Sequence, residues 1–363
     1  MNASPGTSRS ALSVLRPLSL GQLLDRAIRL YRRNFLKFLG IIAIVQIPVT
    51  LLQIVSTTLT TSNILEMARV PATQATRDSA YLNLCGGLLG VFLISIAGFI
   101  LIQVVGAAAL TRAVADSLLG KASSILGSFR KIGASWLQLL GAYLLVMLIG
   151  AGLVIWTVVP CAGWLTGPSM FVVLSGMILP LVVPVVVLEG KSTSQALRRA
   201  WDLARRRFWW VLGFVFILYL FSMLVVSGPA ALLNVLVSSG SRIGEAAAFN
   251  VMGTVLQSLV TMLFSLLYLP LQLTAFTLVY LDLRVRTEGL DLALQASEFD
   301  SESAQPSEID LPGLLAQAPP AETGQLVTST EFGYFILLSI LAIVVYAIFI
   351  GLFMGLVSLG SLL

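Results

Sequence analysis

Long stretches of this chain carry no charged residue, and nothing else in the sequence constrains its fold so tightly. Uncharged, largely apolar runs cover residues 38–60, 82–110, 136–160, 169–188, 209–237, 250–281 and 332–358. About 20 apolar residues in a helix cross the roughly 30 Å hydrocarbon core of a bilayer. Each run is long enough, so the expected fold is an all-α integral membrane protein with about seven transmembrane helices. Composition agrees. Only 11% of the 363 residues are charged, whereas a soluble domain needs about 25% to keep its surface wet. The run 250–281 is overlong, so tilting, extension into water or a break at Pro270 is expected there.

The cations alternate between the two sides. Segments before span one and after each even-numbered span hold Arg9, Arg16, Arg26, Arg29, Arg32, Arg33 and Lys37, then Arg112, Lys121, Arg130 and Lys131. They continue with Lys191, Arg198, Arg199 and Arg205–Arg207, then Arg284 and Arg286. The other connections hold only Arg69, Arg77 and Arg242. Positive charge gathers on the cytoplasmic side of membrane proteins, so a plasma-membrane protein with its N-terminus inside and its C-terminus outside is expected. The apolar stretch that begins near Phe35 follows a long basic lead-in and exceeds a signal-peptide core. The net charge of +5 flanks apolar spans instead of coating one face, which fits anionic phospholipid headgroups better than nucleic acid.

Several chemistries lose their ligands. Histidine is absent and the cysteines are only Cys85 and Cys161, so no cofactor or metal is expected. The two cysteines fall near the outer boundary, where a disulfide and two separate thiols both remain open. The apolar runs hold no Asp, Glu, Lys or Arg, which argues against proton relays, voltage sensing and an intramembrane acid–base pair.

An internal repeat follows from laying residues 19–40, SLGQLLDRAIRLYRRNFLKFLG, over residues 192–213, STSQALRRAWDLARRRFWWVLG. At an offset of 173, 11 of 22 positions are identical. A fainter copy lies at 123–141. Each copy precedes two spans, so the expected core is a threefold parallel repeat of interfacial helix plus transmembrane hairpin: 17–119, 120–190 and 191–286. Residues 1–16 are expected to be disordered and 17–286 to form the six-helix domain. Residues 287–331 then form an acidic, Pro-containing flexible linker, and 332–363 the last helix.

In the first copy Leu20, Leu23, Leu24, Ala27, Ile28, Leu30, Tyr31 and Phe35 share one helix face, opposite Asp25, Arg26, Arg29, Arg32 and Arg33. Such a helix suits the headgroup plane. Arg26, Arg29, Arg33, Arg198, Arg199, Arg205 and Arg206 are the candidate lipid-headgroup residues. A topology-setting basic collar and a docking surface for a membrane or cytoplasmic protein partner are the competing readings. Asp282, Arg284 and Glu288 are candidates for ion pairing on the inner face.

Polar residues within the spans are Gln46, Gln53, Asn83, Gln103, Gln138, Gln257 and Gln272, readable as interhelical glue or as the lining of a cavity. Pro180 and Pro184 are expected to kink span four, and Pro48 and Pro270 to act similarly. Gly86 with Gly90, and Gly351 with Gly355, have the spacing of close helix contacts.

Three segments, LSLGQLLDRAIRLYRRNF, VVVLEGKSTSQALRRAWDLARRRFWWVLG and TLVYLDLRVRTEGLDL, bracket residues 18–292. In these the chain resembles the membrane domain associated with bacterial glycerophosphoryl diester phosphodiesterases. The resemblance implies a six-helix membrane unit. In fused relatives the hydrolase is a separate barrel with catalytic histidines and metal-binding carboxylates, which the resemblance does not bring to this chain. The resulting expectation is a non-catalytic scaffold or accessory protein with a basic, lipid-contacting inner face. The alternative is a transporter or channel for a lipid-like or uncharged solute.

Overall fold

The computed structural model describes residues 17–69, 74–121, 124–160, 162–240, 246–290 and 328–360, and among them there are helices and connections but no strand. The lead-in 1–16, Cys161, Arg242 and the acidic residues 291–327 lie outside the described residues. The helices are α1 (Leu20–Arg33), α2 (Phe35–Arg69), α3 (Gln74–Ile100), α4 (Ala107–Leu118), α5 (Ile125–Arg130) and α6 (Ser135–Trp156). They continue as α7 (Ala162–Val172), α8 (Leu179–Glu189), α9 (Thr193–Arg205), α10 (Phe208–Ser222), α11 (Gly228–Gly240), α12 (Ala246–Glu288) and α13 (Ser329–Gly360).

Among the described residues, six continuous spans are long and apolar enough to cross a membrane: Phe35–Thr61, Tyr81–Leu118, Ser135–Trp156, Ala162–Glu189, Phe208–Val237 and Met252–Glu288. Five of them leave most of their apolar length facing outward, as a lipid-facing surface requires, whereas Ala162–Glu189 is mostly buried within the bundle. A seventh apolar helix, α13, runs for 32 residues. Its first turns dock on the bundle. Phe335 stacks on Trp201 with ring centroids 6.2 Å apart, and Tyr334 stacks on Phe208 at 5.1 Å.

The two matched basic segments become α1 and α9. Each opens with a Ser/Gln capping pair, in which Gln22 reaches back to the Ser19 N–H at 3.0 Å and Gln195 to the Ser192 N–H at 3.4 Å. The buried positions coincide as well: Leu23, Ala27 and Tyr31 in α1, and Ala196, Ala200 and Ala204 at the same offset in α9. Ile28, grouped with the apolar face, is 42% exposed. The fainter third copy yields only the six-residue α5.

Three spans pass through a π-helical turn, at Leu101–Gly106, Val173–Ile178 and Met223–Ser227. Two have a clear cause. Pro180 and Pro229 follow closely, and each lacks an N–H and crowds the carbonyl four residues before it. Widening the preceding turn relieves that crowding. The turn at Leu101–Gly106 has no proline after it. Pro270, by contrast, does not end its helix: it lies inside the 43-residue α12, and the Thr274 hydroxyl donates to the Pro270 carbonyl at 2.7 Å.

Close approach between spans occurs at glycines other than Gly86 and Gly90, while the surroundings of Gly351 and Gly355 lie outside what is described. A Cβ on Gly86 would meet nothing within 4 Å, and one on Gly90 would only touch Ser56 at 3.9 Å. A Cβ on Gly98 would instead stand 2.3 Å from Val49 Cγ1. Gly98→Ala is therefore expected to cost about 1–3 kcal/mol by overpacking, read as a lower thermal midpoint in detergent. Adding Val49→Ala should recover part of the loss; a double variant no better than the single one would disprove the contact.

Candidate functional site: a charged clamp and a polar cleft

Glu189 and Glu288 are the last residues of α8 and α12, and each is followed by a glycine with positive φ, Gly190 at 65° and Gly289 at 63°. Only glycine takes that conformation without strain, so it ends the helix and turns the chain away. Both carboxylates are thereby left at the same end of the bundle, where α9 supplies Arg199 and α12 supplies Arg284.

These four side chains form one buried cluster. Arg199 grips Glu288 with two nitrogens at 2.5 and 2.7 Å and reaches Glu189 at 3.3 Å. Arg284 contacts Glu189 at 2.7 Å and Glu288 at 2.5 Å. The Tyr280 hydroxyl donates to Glu189 at 2.6 Å. The Arg284 side chain is 1% exposed and that of Glu288 is 0% exposed. Two negative charges face two positive ones, and all four carboxylate oxygens are engaged. Such a group carries no free base and no access for substrate. Chemically it is a clamp that joins the ends of spans four and six to α9.

A second clip lies beside it. Asp282 accepts the Leu18 N–H at 2.8 Å, and Arg286 donates to the Leu18 carbonyl at 2.6 Å while pairing with Asp282 at 2.8 Å. Asp282 thus meets the backbone ahead of α1 and the arginine one turn along its own helix, not an interfacial arginine. Tyr31, on α1, donates to the Leu267 carbonyl at 2.8 Å, and burial pushes its hydroxyl up to about 12.

The candidate headgroup arginines divide into two groups. Arg199 lies in the clamp, and Arg205 faces Asp202 at 2.9 Å and Glu331 at 3.7 Å. These two point into the protein. Arg29, Arg33, Arg198 and Arg206 lie on the surface, and Arg26 is half-buried. Arg207, which falls on the apolar side of the second copy, lies in the break before α10 with its guanidinium 5.6 Å from the Trp210 ring.

The partition of charge by sign is the feature that sequence reading missed. At this end of the bundle Asp116, Glu189, Asp202, Asp282, Glu288 and Glu331 all have side chains no more than 15% exposed. Asp25 is the one exposed acid among the described side chains there, paired with Arg29 at 2.7 Å. Arg29, Arg32, Arg33, Arg130, Lys131, Lys191, Arg198 and Arg206 are all exposed. Among the described residues all but one of these acids are folded inward, whereas eight cations face out and Arg199, Arg205 and Arg284 are drawn in to pair with the acids.

Away from this basic end, α2, α3 with its π turn, and α12 enclose a cleft of about 510 Å³. Of its fourteen lining residues, ten are Gln, Ser or Thr and none is charged. Along α2 they are Gln46, Thr50, Gln53 and Thr57, one stripe at helical spacing. Gln103 comes from the π turn and accepts from Tyr143 at 3.5 Å, while Gln257 contacts Asn234 at 3.3 Å. Gln46 bonds Ser265 across the floor. Gln46, Gln53, Gln103 and Gln257 therefore converge here, whereas Gln138 and Gln272 do not line the cleft.

Among the described residues no three His, Cys, Asp or Glu side chains converge as metal ligands. Cys85 is an exposed thiol, and its relation to Cys161 falls outside the described residues. No curated protein and no solved structure matches the chain. Residues 168–305, which contain the whole four-charge clamp, match the family described as the membrane domain of glycerophosphoryl diester phosphodiesterase, the membrane part and not the catalytic part of that family, and the one the sequence motifs resemble.

Proposed function

We propose that this polytopic helical membrane protein is a non-catalytic scaffold or accessory protein whose basic face rests on anionic phospholipid headgroups. The observation that carries the reading is the sorting of charge at that end, where the described residues place eight cations on the surface against one exposed, already paired acid. Cations beside an anionic leaflet contribute about 1 kcal/mol each. The same face is then cytoplasmic, in the plasma membrane, with the N-terminus inside and α13 leading outward. The ion-pair clamp holds α9 against the span ends, so α1 and α9 present a fixed surface for lipid or for a protein partner.

The test is direct. Arg29→Glu, Arg32→Glu and Arg33→Glu together should lower the phosphatidylglycerol retained by the purified protein at least tenfold, counted by native mass spectrometry. Raising salt should do the same, because exposed charges are screened. Retention indifferent to both changes would remove the proposal. A carrier or channel for a lipid-like or uncharged solute is the second reading, and the polar cleft favours it. Between the cleft and the basic end, however, α2 and α4 meet, and Phe38, Ile41, Ile42, Ala107 and Leu110 are fully buried there.

A further inference from the structure

We infer that the cleft between α2, the α3 π turn and α12 is a binding site for a neutral ligand rich in hydroxyl groups. The ligand is either the uncharged headgroup of a membrane lipid or a free polyol. The inference is independent of the basic face.

Three observations carry it. The first is volume and chemistry. At about 510 Å³ the space is within the range of small-molecule sites, roughly 300–1,000 Å³. Its lining of amides and hydroxyls offers donors and acceptors without a single formal charge. A charged ligand would find no counter-ion there, and a purely apolar one would leave the Gln46 carbonyl oxygen unpaired, at a cost of about 1–3 kcal/mol.

The second is an orphan. Gln46 is 4% exposed, its amide nitrogen is engaged with Ser265, and its carbonyl oxygen has no partner. Were the amides only interhelical glue, this one would be satisfied by the neighbouring helix. Several neighbours spend their hydroxyls on their own helix, Thr57 on the Gln53 carbonyl at 2.7 Å and Ser258 on the Thr254 carbonyl at 2.8 Å. Both residues line the cleft, and a hydroxyl that donates in this way can still accept, which suits a ligand that donates hydrogen bonds. Hydroxyls do so.

The third is the π turn at Leu101–Gly106. No proline forces it, and it places Ile102 and Gln103 in the lining. Mid-helix π turns without such a cause occur frequently at functional sites. Phe99, Ile102, Met262 and Leu269 supply an apolar strip beside the polar stripe, as an acyl chain below a headgroup would need.

The experiment uses the full-length protein in detergent with two probes, dioleoylglycerol and glycerol, and counts bound adducts by native mass spectrometry. One dioleoylglycerol adduct on the unaltered protein, reduced at least tenfold in Gln46→Leu and Gln53→Leu, is the expected result and assigns the site to a lipid. A glycerol adduct lost in the same variants would assign it to a soluble polyol. Should Gln46→Leu fail to fold, Gln53→Leu, half-buried at the rim, carries the comparison. Neither adduct on the unaltered protein, or adducts unchanged in the variants, overturns the inference. The Arg29, Arg32 and Arg33 charge reversals should leave the neutral adduct unchanged, so the two proposals fail separately.

Discussion

Arg284→Leu is expected to lower the thermal midpoint in detergent by on the order of 10 °C, the largest effect of any single substitution at the basic end. Removing the guanidinium leaves Glu189 and Glu288 sharing Arg199 alone, a net negative charge in a site where the Glu288 side chain is 0% exposed. Breaking a buried ion pair by deleting one partner costs about 3–5 kcal/mol, and each kcal/mol shifts the midpoint of a chain of this order of size by roughly 2–4 °C. Charge balance supplies the sharper test. Adding Glu288→Leu leaves one Arg199 opposite one Glu189, so the double variant should lose much less than the sum of the two singles. Additive losses would mean that the two side chains do not interact. Exposed Arg29, paired with an equally exposed Asp25, provides the comparison: Arg29→Ala should cost no more than about 1 kcal/mol.

The second large effect is expected at the turn between α6 and α7. A Cβ added to Gly163 would lie 2.0 Å from the Trp156 carbonyl oxygen and 2.9 Å from its carbon. Those are backbone atoms at the end of α6, so no rotamer change can make room. A Cβ on Gly167, one turn later, would stand 2.7 Å from Thr157 Cγ2. The pair lets the hairpin close tightly enough for the Trp156 ring N–H to donate to Thr166 at 2.9 Å. Gly163→Ala should therefore cost on the order of 3 kcal/mol, since overpacking at this contact forces a backbone shift. Gly86→Ala, with nothing within 4 Å, should change stability little. If the two alanine variants unfold alike, the turn is not as tight as the structure has it.

Some of this was written into local spacing. Gly163 and Gly167 stand four apart, as Gly86 and Gly90 do, and nothing in the residues between them says which pair meets a neighbouring backbone. Contact depends on helix rotation, and rotation is set by every other contact in the bundle. The cleft shows the same division. Gln46, Thr50, Gln53 and Thr57 form a visible polar stripe at helical spacing, and Ser95 and Gln103 are separated by two turns. That these stripes converge follows from how α2, α3 and α12 pack. The clamp was half legible: the Glu–Gly pairs at 189–190 and 288–289 mark helix ends, yet the pairing of Glu288 with Arg199 joins residues 89 apart.

By itself the sequence determined that this chain lives in a membrane as a bundle of apolar helices and that its cations collect at one end. Transfer of apolar surface out of water depends on composition over about 20 residues, and charge cannot be spread through such a run without a large solvation penalty. Tertiary structure alone decided which charges were withdrawn and which were left outside, and where the amides gathered. In the low-dielectric interior a charge or amide is stable only beside its partner, and partners distant in sequence are chosen by packing.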